Sequence, residues 1–176
     1  MDFRQETLLN PPFAKDPPVK LNIPAKTLGL VYAILAAIAA IFGIFGILFL
    51  LGLSGFAAAA GLAGLTILPL VGSIVGEIGT IVVAWGGYQM YQEKREGKKL
   101  AIYGIVVYVL GSLISALGGG PEGFVGWIVT VLIAFVLYYL VIISRFSGEP
   151  LLVPAGTTPP APRPESQPPR DGPPAP

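Results

Sequence analysis

The amino-acid sequence predicts an all-α fold, an integral membrane four-helix bundle with N and C termini cytoplasmic and disordered Pro-rich terminal arms. Apolar residues make up 53% of the chain and are concentrated in four stretches, 28–53, 67–91, 100–117 and 124–143. A bilayer core of about 30 Å needs roughly 20 helical residues, a length these stretches approach or exceed. All 11 Lys and Arg residues lie in 1–26, in the break 92–99 or after position 144, and none falls in 54–66 or 118–123. Cytoplasmic loops retain Lys and Arg while short translocated loops lose them, so the charge pattern predicts both termini in the cytoplasm. Many of the chain's 18 prolines crowd its two ends, which cannot bury enough apolar surface to fold alone.

Taken in order, 1–26 is an N-terminal arm in which Pro11, Pro12, Pro17, Pro18 and Pro24 block helix formation and favour extended backbone. Thr27 is the expected N-cap of the first helix, 28–53. That apolar stretch is far longer than the core of a secretory signal and is expected to be retained as a span. The uncharged segment 54–66, rich in Gly and Ala, is expected to form a short surface helix or a shallow re-entrant piece, because a fifth crossing would split the basic residues between two faces. Pro69 is expected to start or kink the second helix, 67–91. The break 92–99 closes a hairpin with the third helix, and Gly97 is expected to supply the left-handed conformation that ends a helix. Residues 118–123 make a tight turn into the fourth helix. Tyrosines 32, 88, 91, 103, 138 and 139 fall near the basic ends of the spans and Trp127 near the other, as interfacial aromatics do. The transmembrane domain is thus 27–146, followed by a Pro-rich tail, 147–176, with polyproline II character. Its Pro159-x-x-Pro162 reads as part of a solvated tether rather than a docking motif.

Several chemistries are excluded by composition. Cys and His are both absent, which removes disulfides, thiolate and imidazole catalysis and the usual zinc sites. Neither a metal nor a cofactor is expected, and no catalytic residues are assigned. A net charge of +1 provides no basic surface for a nucleic acid. Ser112 and Ser115 have no base within the membrane except Glu77, so a serine nucleophile is not expected. Lys94, Arg95, Lys98 and Lys99 are candidates for contact with anionic lipid heads, at about 1 kcal/mol per basic residue, although Glu93 and Glu96 weaken that case.

Glu77 is the one ionisable Asp, Glu, Lys or Arg well inside a span, and intramembrane charges are costly and mark functional sites by default. At about 100° per residue, Ser73, Gly76, Glu77, Thr80, Ala84 and Gly87 share one face of the second helix. On the third helix Ala101, Gly104, Tyr108, Gly111, Ser112 and Ser115 share a face, with Ile102, Val106, Val109, Leu113 and Leu117 opposite, toward lipid. Gly126, Thr130 and Ala134 form a third stripe, and Gly29, Ala33, Ala36, Ala40 and Gly43 a fourth. Such stripes let helix backbones approach closely. The spacing Gly72-x-x-x-Gly76 belongs with them and is explained as well by packing within the chain as by dimerisation. Folding the hairpin about Arg95 and Glu96 puts Glu77 level with Ser112, Ser115 and Thr130 and predicts a hydrogen bond there.

Two functions are consistent with this pattern. The first is a non-enzymatic accessory or scaffold subunit of a membrane assembly, with the lipid bilayer, other membrane subunits or further copies of itself as partners and Glu77 as interhelical glue. The alternative is a small transporter or proton- or cation-conducting protein centred on Glu77. Either is expected as a multi-pass protein of a prokaryotic inner or plasma membrane.

Overall fold

The structure, a computed structural model, describes residues 11, 14, 17–19, 21–61 and 64–149. The remaining parts of both arms, with Pro12, Pro159 and Pro162, lie outside the described residues. The described chain is all-helical: α1 (Ala25–Ala59), α2 (Gly64–Tyr91), α3 (Glu96–Gly118) and α4 (Gly120–Ile143). Each is long and apolar enough to cross a membrane.

The helices begin and end on tertiary as much as local signals. Among the described residues no side chain caps α1. Its N-cap is Pro24, and the Ala25 N–H donates to the Arg145 carbonyl at 2.6 Å. Thr27 therefore lies inside the helix, because a backbone partner from the far end of the domain satisfies the first turn. At its other end α1 runs through the start of 54–66, and Gly61, with φ +74°, turns the chain. That segment is neither a surface helix nor a re-entrant piece: 54–59 completes α1 and 64–66 opens α2. The 35 residues of α1 reach roughly 52 Å at about 1.5 Å per residue, well beyond a bilayer core.

Pro69 lies within the first turns of α2, where few backbone bonds are lost. The helix ends in a Schellman motif: the Lys94 N–H donates to the Gln89 carbonyl at 2.9 Å and the Glu93 N–H to the Met90 carbonyl at 2.9 Å. The left-handed residue is Glu93, φ 60°, and not Gly97. Gly97 is instead in α3, pressed against Met90 and Gly86. The turn between α3 and α4 is tighter than 118–123, since Gly119 alone separates the helices and Gly120, φ +64°, starts α4 ahead of Pro121.

Helices adjacent in sequence pack side by side, and α2 with α3 is the closest pair. Glycines recur every seven residues on both: Gly72, Gly79 and Gly86 on α2 face Gly111, Gly104 and Gly97 on α3. A Cβ at any of these six positions would run into the opposite backbone. Helices drawn this close gain dispersion contacts and weak Cα–H···O bonds, which hold membrane bundles together where lipid is as apolar as the side chains.

Where α1 and α4 meet, the described contacts cluster at the end of the bundle that carries the basic loop. Tyr32 Oη donates to the Leu137 carbonyl at 2.7 Å, and Pro24 pairs with Arg145 in a parallel bridge. The core sits there too, with Ala25, Tyr32, Met90, Ala101, Ile102, Val141 and Phe146 buried together. Ile102, expected on the lipid face, is therefore interior, because the chain segments leaving α4 and entering α1 fold across that end of α3. Beyond Ala36 no residue of α1 is buried.

Candidate functional site

The two halves of the bundle differ because α1 contributes its buried residues only near the basic end. Farther along, the four helices line an open-sided cavity of about 560 Å³, and Glu77, near the middle of α2, borders it. Gly43 of α1 makes room for the carboxylate, since a Cβ there would strike Glu77 Oε2 and Cδ. Glu77 Oε1 is shielded by the protein and has no hydrogen-bond partner among the described residues. Trp127, on α4, lines the same cavity, and its indole N–H is likewise buried without a partner among the described residues.

The structure gathers Glu77, Tyr108, Ser112, Ser115 and Thr130 around this one cavity, together with Ser73 and Thr80. It does not make the hydrogen bond expected of Glu77. Ser112 Oγ donates to the Val109 carbonyl at 2.8 Å and Ser115 Oγ to the Pro69 carbonyl at 3.2 Å. Ser73, Thr80 and Thr130 donate to the carbonyls of Pro69, Gly76 and Gly126, the residues four positions before them. All five hydroxyl protons are committed to backbone, so these groups turn only lone pairs to the cavity. The register of the α2–α3 hairpin explains the difference. Gly79 faces Gly104 and Tyr108, and Gly72 faces Gly111 and Ser115, so Ser115 is level with the start of α2 and Glu77 lies closer to the level of Tyr108. The fold axis of the hairpin is displaced from Arg95 and Glu96 toward the end of α2.

Among the residues expected to pack helices, Gly72, Gly104 and Gly111 stand at backbone contact, and Gly76 adjoins Tyr108 at a looser distance. Ala134 is buried in the core and Ala84 half-buried. Gly126 departs from the expectation, since a Cβ there would meet nothing within 4 Å. It borders the cavity instead. Gly79, Gly86 and Gly97 are the packing residues that helical-face reasoning passed over; their seven-residue spacing, shared by Gly72, Gly104 and Gly111, is the signal that identifies them.

The basic cluster divides. Lys98 is half-buried, donates to the Ser144 carbonyl at the end of α4, and lies 5.1 Å from the centre of the Phe146 ring. Lys94, Arg95 and Lys99 are exposed. Among the described residues no group of three or more acidic, His or Cys side chains is placed to hold a metal ion.

The fold is a bundle of four helices long and apolar enough to span a membrane, with an acid-bearing cavity between them. Compared with known protein families, curated proteins and solved structures, the chain matches none.

Proposed function

We propose that the chain is a small non-enzymatic membrane transporter or cation-conducting protein, with Glu77 as its binding group and both arms in the cytoplasm. The observation that supports it is the unpartnered Glu77 Oε1 beside a cavity of about 560 Å³. An acid serving only as interhelical glue would be hydrogen-bonded across the interface, because an unsatisfied buried polar group costs about 1–3 kcal/mol, and more when charged. Here the Ser and Thr hydroxyls that line the cavity are turned to the backbone. The test is flux into liposomes containing the purified protein, measured for protons, Na⁺, K⁺ and methylammonium. Flux of at least one above the level of protein-free vesicles, falling to that level in Glu77→Gln, is the expected result. Equal flux through both proteins, or none through either, overturns the proposal.

A second reading, an accessory or scaffold subunit, is favoured by a different observation. The N-terminal arm is pinned beside the start of the tail, to α4 by Tyr139 Oη donating to the Val19 carbonyl at 3.1 Å and to the residues just after α4 by Arg145 N–H donating to the Ile23 carbonyl at 2.9 Å. Arm and tail would present one combined surface to a partner. Co-purification from native membranes, with and without 150–176, distinguishes the two: a protein retained stoichiometrically by the full chain alone supports the subunit.

A further inference from the structure

We infer that the ligand taken up at Glu77 is an amphiphilic amine, an ammonium head on an apolar tail, which enters from the lipid between α1 and α4. The inference rests on the assignment of Glu77 as a binding group and adds the chemical class and the route.

The head follows from the donor and acceptor balance of the chamber. Among the described residues no Lys or Arg lines it, and the hydroxyls of Ser73, Thr80, Ser112, Ser115 and Thr130 all donate to backbone carbonyls. Two donors face it as well, the Trp127 indole N–H, without a partner among the described residues, and the Tyr108 hydroxyl. The one charged side chain among the described lining residues is Glu77, and with five sets of hydroxyl lone pairs it leaves a surplus of acceptors and negative charge. An ammonium brings up to three donors and a positive charge to such a surface, whereas a carboxylate or phosphate head would meet repulsion. The aromatic ring of Trp127 adds a face of the kind that attracts cations.

The tail follows from a second cavity. A chamber of about 380 Å³ continues toward the basic end of the bundle and shares Ala39, Thr80, Tyr108 and Thr130 with the first, so the two are contiguous. Apart from those residues and Tyr32, its walls are hydrocarbon. The one further hydroxyl, Tyr32 Oη, is committed to the Leu137 carbonyl. Both volumes lie in the range of small-molecule sites, about 300–1,000 Å³.

The route follows from the seam between the first and last helices. Leu35 of α1 and Ile133 of α4 line the apolar chamber, yet are 62% and 57% exposed on the outside of the bundle. A wall residue that is also surface marks an opening, and this one faces the lipid. Farther along the same seam, Gly46 and Gly126 line the polar chamber, and a Cβ on either would meet nothing within 4 Å. A molecule already dissolved in the hydrocarbon can thus slide in laterally, tail along α1 and head toward Glu77.

The test uses the full chain in lipid nanodiscs with Trp85→Phe, which leaves Trp127 as the sole indole of the two present. Trp85 is on the lipid-facing surface and lines neither chamber. Octylammonium, methylammonium, octanoate and octanol are titrated while Trp127 emission is followed. Octylammonium is expected to change the emission saturably, with methylammonium and octanol weaker by about tenfold or more and octanoate without saturable effect. Glu77→Gln should weaken octylammonium by about tenfold or more, and Gly126→Leu, which fills the polar chamber from a position with free space, should abolish the response. Melting of each variant within a few degrees of the parent shows that folding is retained; should Glu77→Gln fail that control, Gly126→Leu and the octanoate comparison decide.

Equal binding of octanol or octanoate overturns the charged head, and equal binding of methylammonium overturns the tail. No saturable response to octylammonium overturns the whole inference. If Glu77-dependent flux of protons or small cations is nevertheless measured in liposomes, the transport proposal stands and only the amphiphile falls. Loss of both the flux and the titration response removes both.

Discussion

Glycine has opposite meanings at different positions of this bundle, and the surroundings of its missing Cβ decide which. At Gly79 a Cβ would press on the Tyr108 backbone and come within 2.8 Å of the Gly104 carbonyl oxygen, and backbone cannot swing aside as a side chain can. Gly79→Ala is therefore expected to force α2 and α3 apart and to lower stability by about 1–3 kcal/mol. Gly46→Ala is expected to be neutral or stabilising by up to about 1 kcal/mol, since the new methyl meets open space and alanine is the better helix former. Unfolding of the detergent-solubilised variants in increasing SDS measures both, and equal behaviour would remove the close-packing account. Glu77 belongs to the same scale. The sequence places it midway along an apolar stretch and groups it with Tyr108, Ser112, Ser115 and Thr130, and these side chains line one cavity in the structure. Its lack of a hydrogen bond was not legible there, because a hydroxyl on a helix has a carbonyl of the preceding turn within reach and local geometry outcompetes a partner across a cavity.

Among the elements, the α2–α3 hairpin is the rigid unit and the far half of α1 the loosely held one. The hairpin is fixed at three glycine pairs and by the Schellman motif at its turn, whereas α1 buries nothing beyond Ala36. The chain has no Cys, so spin labels can be introduced at single positions without background. Labels on exposed Ile78 and Val106 are expected to give a narrow distance distribution by electron–electron double resonance in nanodiscs. A pair on Phe49 and Ile128, across the seam, is expected to give a broad one that narrows when octylammonium binds. Equal widths would mean that the seam is closed. Helix ends were the least legible feature at this scale. Thr27 and Gly97 carry the right local chemistry for caps, but Arg145 supplies one cap from 120 residues away in the chain and Glu93 adopts the left-handed turn while Gly97 is held at the helix contact.

For the whole molecule, both described chain ends and the 92–95 turn are at one end of the bundle, joined by the Pro24–Arg145 bridge and by Ser147 Oγ to Glu93 at 2.5 Å. The proposed orientation puts that end in the cytoplasm, where the charge pattern assigns it. Lys94→Cys and Ser147→Cys are expected to react with a membrane-impermeant maleimide only in inverted vesicles, and Ala60→Cys and Glu122→Cys only in intact cells. Labelling of any pair from the opposite side would reverse the orientation and with it the direction in which the apolar chamber points.

The number of helices and their capacity to cross a membrane were determined by the sequence itself, because a bilayer imposes a length and a hydropathy that composition must satisfy locally. Only the tertiary structure decided which glycines touch, where the hairpin folds and whether the four stripes of small residues close on one another. Those outcomes depend on the offset between helices, which pairwise packing sets and periodicity does not encode. The stripes of α2 and α3 close on each other; those of α1 and α4 stay apart beyond the basic end, and the space left between them holds Glu77.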